Sequence, residues 1–291
     1  MSDKDDLLSG FLATDSQVRT EEVGVLRRRG TQLVQAPDTV SVEEPLEIRI
    51  VAADFDERAL AITMRTPGHD HELALGFLFS EGIIRSLDDV TGLEHCRPPS
   101  AEQKLHNSLR VNLSPNCSFQ PEQLERHFYT SSSCGVCGKT SIESVTDKVL
   151  APIGRDFRLA ADTLMRLPGM LRERQTDFSR TGGIHAAGLI NRRGELTDVR
   201  EDIGRHNAVD KLIGARLLAG DVPFSANGIM LSGRAGFELV QKAAMAGAEL
   251  VAAIGPPSSL SVELAATAGV SLAGFVSDHA YNLYTHPDRV T

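Results

Sequence analysis

Cys134 and Cys137 form a CxxC pair inside "SSSCGVCGK", residues 131 to 139, among serines, glycines and Lys139. Three chemistries suit such a pair: a metal clamp, a disulfide switch, or a thiol that carries sulfur between partners. All three use the thiolate. The stretch that follows, "KTSIESVTDKVL", places Ile142, Val145 and Val149 at helical spacing. The thiols are therefore expected in a Gly-rich loop before a helix N-terminus, where the positive end of the helix dipole and Lys139 would raise the thiolate fraction.

A structural zinc site takes four ligands, commonly two such pairs, and only one pair is present. Zinc would have to recruit distant residues such as His185 or His206. The zinc-deaminase signature joins an H-x-E element to a later P-C-x-x-C. Here Ser133 replaces the proline, Ala187 stands where the glutamate belongs, and the cysteines precede the histidine. A thioredoxin-like enzyme carries its CxxC near the start of a compact fold, whereas Cys134 lies mid-chain. A soft nucleophile in a glycine-flanked loop also suits a carrier that attacks a persulfide and holds Cys-S-SH. From the pair alone, redox, metal and carrier readings stay open. Cys96 and Cys117 read as incidental thiols.

The elements that must position this chemistry are legible from periodicity. Residues 1–30 are polar and charged, ending in Arg27 to Arg29 and Gly30, and read as a flexible N-terminal arm. Residues 31–150 follow as a region with a hairpin, a buried helix and the CxxC loop. The hairpin pairs "LEIRIVA" (46–52) with "ALAITMR" (59–65). The helix starts near Asp70, a candidate cap, and is apolar nearly all round through Leu73, Phe77, Leu78 and Ile84. Residues 151–291 read as an α/β nucleotide- or cofactor-binding region. A hairpin turns at "NRRG" (191–194), and a helix spans 205 to 219, with Asp202 as a candidate cap and Arg205 and Asp210 as a candidate pair. After these, "GIMLSG", "ELVAAIG" and "VSLAGFV" alternate with two helices. Consecutive β-α-β units predict a parallel sheet with right-handed crossovers. Ligands of such sheets gather beyond the strand C-termini. That places a pocket at Ser232 to Gly236, Gly255 to Ser259 and Ser277 to Asn282. Arg234, at a helix start, is the residue expected to meet a phosphate, with Ser232 beside it. His185, Arg205 and His206 fit core packing and ligand contact equally well.

Composition narrows the partners. A net charge of −9 argues against an extended nucleic-acid surface. "MSDKDDLLSG" lacks the pattern of a secretory signal, and no apolar run reaches membrane-spanning length. No membrane association and a cytoplasmic location are expected.

Six stretches in this order, "ELALGFLFSEGII", "SSSCGVCGK", "TGGIHAAGL", "REDIGRHNAVDKLIG", "LSGRAGFELVQKA" and "YTHPDRV", resemble the formate dehydrogenase accessory sulfurtransferase family, FdhD. The resemblance runs from about residue 45 to the C-terminus. It implies an α/β, cytidine-deaminase-like fold, with parallel β-α-β units in the C-terminal half and an N-terminal hairpin-containing region, in a homodimer. It implies a sulfurtransferase that takes persulfide sulfur from a cysteine desulfurase. The acceptor would be the molybdenum cofactor, as bis-molybdopterin guanine dinucleotide, before its insertion into formate dehydrogenase. Cys134 matches the persulfide-bearing cysteine and Cys137 its partner. The family's cofactor-binding segment falls on Phe275, Val276, Ser277, Asp278, His279 and Ala280. The sequence departs from the family pattern at Ser277, near which many relatives carry arginine. The alternative from another class is a non-catalytic chaperone for the cofactor or apo-enzyme, its CxxC binding zinc or acting as a redox latch.

Overall fold

The parallel strands of the C-terminal half are buried on both faces. The structure, a computed structural model, describes residues 18–53, 55–96, 106–119 and 153–291. Cys134, Cys137, the helix expected over 139–150 and residues 1–17 lie outside the described residues. Hairpin strands β1 (Thr20–Arg29) and β2 (Gln32–Ser41) form a two-stranded ribbon. The next strands, β3 (Glu44–Ala52) and β4 (Phe55–Arg65), are joined by β5 (Val90–His95) and β6 (Ser108–Leu113) in a four-stranded sheet ordered β4-β3-β6-β5. The larger sheet has six strands: β7 (His185–Ile190), β8 (Leu196–Asp202), β9 (Gly228–Leu231), β10 (Leu250–Ala253), β11 (Ser271–Gly274) and β12 (Asn282–Thr285), ordered β12-β11-β10-β9-β7-β8. Within it β9, β10 and β11 are parallel, as the alternating pattern predicts. The described helices are α1 (Asp70–Ser80), α2 (Ala161–Arg174), α3 (Thr176–Thr181), α4 (Arg205–Leu218), α5 (Phe237–Met245) and α6 (Ser259–Ala268).

Alternation along the strands divides the large sheet between two cores. Ile229, Val251 and Leu272 face α4, α5 and α6, in a core that continues through α1 to Leu46, Ile48 and Ile50 of the small sheet. Met230, Leu250 and Ala273 face the opposite way, onto Leu164, Leu167 and Leu171 of α2. A sheet covered on both faces needs near-continuous apolar strands, which explains why "GIML" and "LVAA" lack polar alternation. α1 is apolar nearly all round because it lies within the shared core.

The closest approach in that core is between α1 and α4. A Cβ on Gly76 would lie 1.8 Å from the Asp210 carbonyl oxygen, and one on Gly214 would lie 1.8 Å from that of Glu72. Backbone therefore meets backbone, and only glycine fits at either position. Beside the crossing, buried Lys242 pairs with Asp210 at 2.9 Å, and the Ser80 hydroxyl donates to the same carboxylate at 3.0 Å. Burial alone would lower the Lys242 pKa, but Asp210 and Glu81 hold it above the ordinary lysine value.

Three sequence expectations change. Residues 20–29, expected in the flexible arm, form β1 and pair along their whole length with β2. The ribbon is tied at its base, where Arg19 Nε donates to Asp177 at 2.6 Å and the Ser41 hydroxyl donates to Thr181 at 2.9 Å. Charged residues on a ribbon exposed to water hid the period-2 signal of Val23 and Val25. Asp70 does not cap α1: His69 occupies that position, with φ 58°, and the Asp70 carboxylate takes two hydrogen bonds from buried Arg65 at 2.9 Å. Arg205 and Asp210 do not pair, since five residues turn them to different faces of α4; Asp210 points inward to Lys242. The hairpin over 46–65 forms as expected, its strands spanning Glu44–Ala52 and Phe55–Arg65 with register shifts at Ile48/Arg49 and Ile50/Ala52.

Gly76→Ala and Gly214→Ala should each destabilise the protein by about 3 kcal/mol or more, since opposing backbone cannot rotate away as a side chain does. Gly169→Ala, at an exposed position of α2 with open space around the new methyl, should instead stabilise by roughly 0.5–1 kcal/mol. Midpoints of denaturant unfolding report both signs.

Candidate functional site at the strand ends

The parallel strands end at Leu231, Ala253 and Gly274, and the loops beyond them are bonded to one another. Gly255 N–H donates to Gly233 O at 2.9 Å, Ala235 N–H to Pro256 O at 3.2 Å, and Phe275 N–H to Gly255 O at 3.2 Å. Loops this close require small residues. A Cβ on Gly255 would lie 3.0 Å from Arg234 Cα, and one on Gly274 would lie 2.9 Å from Pro257 Cδ. Glycine at 255 and 274 is thus a steric requirement, beyond ordinary turn chemistry.

Ser232 locks this platform to the neighbouring strand. Its hydroxyl oxygen accepts from Ala186 N–H at 2.8 Å, and its own N–H donates to Ala186 O at 3.0 Å. Its direct contacts are therefore structural. Arg234 follows, exposed, three residues before the start of α5. No side chain caps α5, whose N-cap is Gly236. α6, by contrast, is closed by a capping box between Ser258 and Ser261. Of the two helix starts on this platform, α5 alone keeps its first-turn N–H groups free of a side-chain cap.

β7 and α4 bring three further polar groups to the same edge. His185 begins β7 opposite Asp202, its ring against Gly233, where an added Cβ would lie 3.3 Å from Nδ1. Burial pushes its pKa below the ordinary histidine value, and nearby Arg205 and His206 add to the effect. His206 Nε2 lies 2.9 Å from Glu238 Oε2 in the first turn of α5, a hydrogen bond that holds Glu238 below the usual carboxylate range. Sequence reasoning left His185, Arg205 and His206 between packing and contact and did not single out Glu238.

A buried charge network fixes where α4 begins. Asp202 and Lys211 are fully buried and 2.7 Å apart. Asp202 also accepts from Gly204 N–H at 2.8 Å, Asn207 Nδ2 at 3.1 Å and Thr66 N–H at 3.2 Å, while Lys211 donates to Thr66 O at 2.8 Å. Asp202 is thus a clamp between β8, α4 and the end of β4 rather than a helix cap; Gly204 holds the cap position. Burial pushes Lys211 below the ordinary lysine value, with Asp202 opposing that shift.

The segment over Phe275 to Ala280 divides by side chain. Phe275, at φ 53°, is 49 % exposed, whereas Val276 is 1 % exposed and packs in the core beneath α2. Val276 anchors the segment. Ser277 closes a turn, its N–H donating to Ala280 O at 2.8 Å and its hydroxyl oxygen accepting from Ala280 N–H at 3.1 Å. Asp278 and His279 project outward with Ala280, their side chains 3.2 Å apart. The exposed groups available to a ligand are therefore Arg234, Phe275, Asp278 and His279, above a floor of loop backbone. Among the described residues no cluster of three or more His, Cys, Asp or Glu is arranged to hold a metal ion, and no helix is long and apolar enough to cross a membrane.

Residues 41–291 match the FdhD/NarQ family. The chain is 45 % identical over 274 residues to the sulfur carrier protein FdhD of Streptomyces coelicolor, covering 93 % of this chain and 95 % of that protein. It is 44 % identical over 265 residues to the protein of the same name from Mycobacterium tuberculosis, covering 89 % and 94 %. The fold is similar to a crystal structure from Desulfotalea psychrophila assigned as a formate dehydrogenase accessory protein. That match has a TM-score of 0.70 and 22 % identity, and covers 94 % of this chain and 100 % of that one.

His185 generates a pH test. A histidine whose folded pKa is depressed leaves stability unaffected above the unfolded value of 6.5 and costs stability as pH falls through it, because the unfolded chain takes up the proton first. His185→Gln should therefore lose less stability than the parent between about pH 7.5 and about pH 5.5, read from urea unfolding at both pH values.

Proposed function

Because this chain belongs to the FdhD/NarQ family, we propose that it is a sulfur carrier in formate dehydrogenase maturation, with Cys134 as the sulfur-bearing thiol. The observation that carries the reading is the extent of the likeness to proteins named sulfur carrier protein FdhD, over nine-tenths of the chain. The CxxC at Cys134 and Cys137 supplies chemistry suited to that name.

In the proposed first step the Cys134 thiolate attacks the outer sulfur of a cysteine desulfurase persulfide. The bond between that sulfur and the desulfurase cysteine breaks, the desulfurase thiolate leaves, and Cys134 holds S–SH. In release, the Cys137 thiolate attacks the Cys134 sulfur. A Cys134–Cys137 disulfide forms, hydrosulfide departs toward the acceptor, and a dithiol reductant restores both thiols. The acceptor is the molybdenum cofactor in its bis-molybdopterin guanine dinucleotide form, a substrate rather than a resident group, and the client is formate dehydrogenase. Its binding place is the platform beyond β9, β10 and β11, with Arg234 for a phosphate and the exposed ring of Phe275 for stacking. Ser232 and Val276 hold the platform, and Ser277 to Ala280 form its rim. The cytidine-deaminase-like description of the α/β fold, the homodimer and the cytoplasmic location belong to the same proposal.

Reduced protein incubated with a cysteine desulfurase and cysteine should gain the mass of one sulfur atom on Cys134, removable by dithiothreitol, with none on Cys134→Ala. A stoichiometric zinc ion on the two thiols and no sulfur adduct would overturn the carrier reading. On the platform, Arg234→Ala should weaken binding of guanosine diphosphate about tenfold, roughly 1.4 kcal/mol, measured by calorimetry, and leave sulfur loading on Cys134 unchanged.

A further inference from the structure

Among the described residues, one edge of the β1–β2 ribbon is bare. β1 pairs with β2 and with no other strand among the described residues. The ribbon also exposes apolar side chains, with Leu26 69 % and Leu33 63 % accessible. A two-stranded ribbon is marginal in water by itself, and a long unpaired edge is a template for another chain. The edges differ. β2 contains Pro37, opposite Gly24 of β1, whereas β1 contains no proline. Proline has no N–H to give the ladder, so Gly24 and Pro37 form a non-hydrogen-bonded pair. The Pro37 nitrogen then faces the outer edge of β2 and blunts it. By the same parity Glu22, Gly24, Leu26 and Arg28 direct their N–H and C=O groups to the bare edge of β1.

The charges along that edge are arranged for a copy of itself. Strand β1 reads "TEEVGVLRRR", acidic at Glu21 and Glu22 and basic from Arg27 to Arg29. Glu21, Glu22 and Arg29 make no ion pair among the described residues, and Arg28 Nε donates only to the Gly30 carbonyl. We propose that β1 pairs antiparallel with β1 of a second copy, about a two-fold axis at Val25, giving a four-stranded sheet ordered β2-β1-β1-β2. In that register Glu22 meets Arg28 and Gly24 meets Leu26 as hydrogen-bonded pairs, and Glu21 meets Arg29. A one-residue slip sets outward peptide groups against inward ones and breaks the ladder. A slip of the axis to Gly24 or Leu26 keeps the ladder and loses the double match of both glutamates with arginines. Parallel pairing would set like charges together. The inference rests on the homodimer element of the preceding reading and is independent of its sulfur chemistry.

Sedimentation of the full chain provides the test. The paired substitutions Glu21→Arg with Glu22→Arg, and separately Arg28→Glu with Arg29→Glu, should each weaken the dimer about a hundredfold or more. Mixing the two variants restores all the opposite-charge contacts and should restore the dimer. These side chains are exposed, and unchanged thermal unfolding of the variants confirms that the fold is intact. Val25→Cys lies on the axis at a non-hydrogen-bonded position, within disulfide reach of its mate, and mild oxidation should give a link that peptide mapping assigns to residue 25. Dimers that persist in both charge variants, or no 25–25 link, would overturn this surface. A parent chain monomeric throughout would overturn the homodimer expectation as well, and neither result touches sulfur loading on Cys134.

Discussion

Two glycines on crossing helices set the distance on which the rest of the molecule depends. Gly76 and Gly214 let α1 and α4 touch through backbone, with Asp210 and Glu72 carbonyls where side chains would otherwise stand. α1 belongs to the first half of the chain and α4 to the second, so this contact joins the small sheet to the large one. The shared core through Leu46, Ile48, Leu73, Leu212 and Ile229 is continuous only at this separation. Each fully buried Leu or Ile contributes about 1.5–3 kcal/mol. A separation increased by one methyl would loosen many such contacts together, because close-packed interiors transmit displacement rather than absorb it.

The same crossing places the charged groups. Asp210, whose carbonyl faces Gly76, turns its carboxylate to Lys242 and Ser80, so α5 is registered against α4 by a buried pair. The next residue, Lys211, reaches Asp202, and this pair clamps β8 and α4 to Thr66 at the end of β4. Buried ions left without partners are costly, which makes these pairs specific about geometry even where they add little net stability. Through them, His185, His206 and Glu238 reach the edge where Ser232 and Arg234 lie. The platform at the strand ends is therefore held by interactions in the first half of the chain as well as the second.

How far the sequence shows the fold depends on which force shapes each element. β9, β10 and β11 with their helices were legible, because full burial on both faces leaves apolar runs that no other arrangement explains. β1 was hidden, because a ribbon in water places Glu21, Glu22 and Arg27 to Arg29 where a buried strand would place apolar residues. α2 was missed because Pro168 and Gly169 interrupt it, although Leu164, Leu167 and Leu171 carry the helical spacing. β5 and β6 are short, and their pairing is set by strands distant in sequence. At the site, Arg234 and the loops were legible from topology. Val276 was not separable from its exposed neighbours, because burial of one side chain in a six-residue segment depends on what lies beneath it.

The sequence by itself determined the chemistry available: a thiol pair at Cys134 and Cys137, small residues after each parallel strand, and ordered motifs specific to one family. Those are properties of residue type and local order, which need no partner to be read. Tertiary structure decided which groups meet. It sent Asp210 to Lys242 and away from Arg205, turned Asp202 from a cap into a clamp, buried Val276 and brought His206 to Glu238. The physical reason is that a charge or methyl group is stabilised by what surrounds it in space, and these neighbours come from segments far apart in the chain.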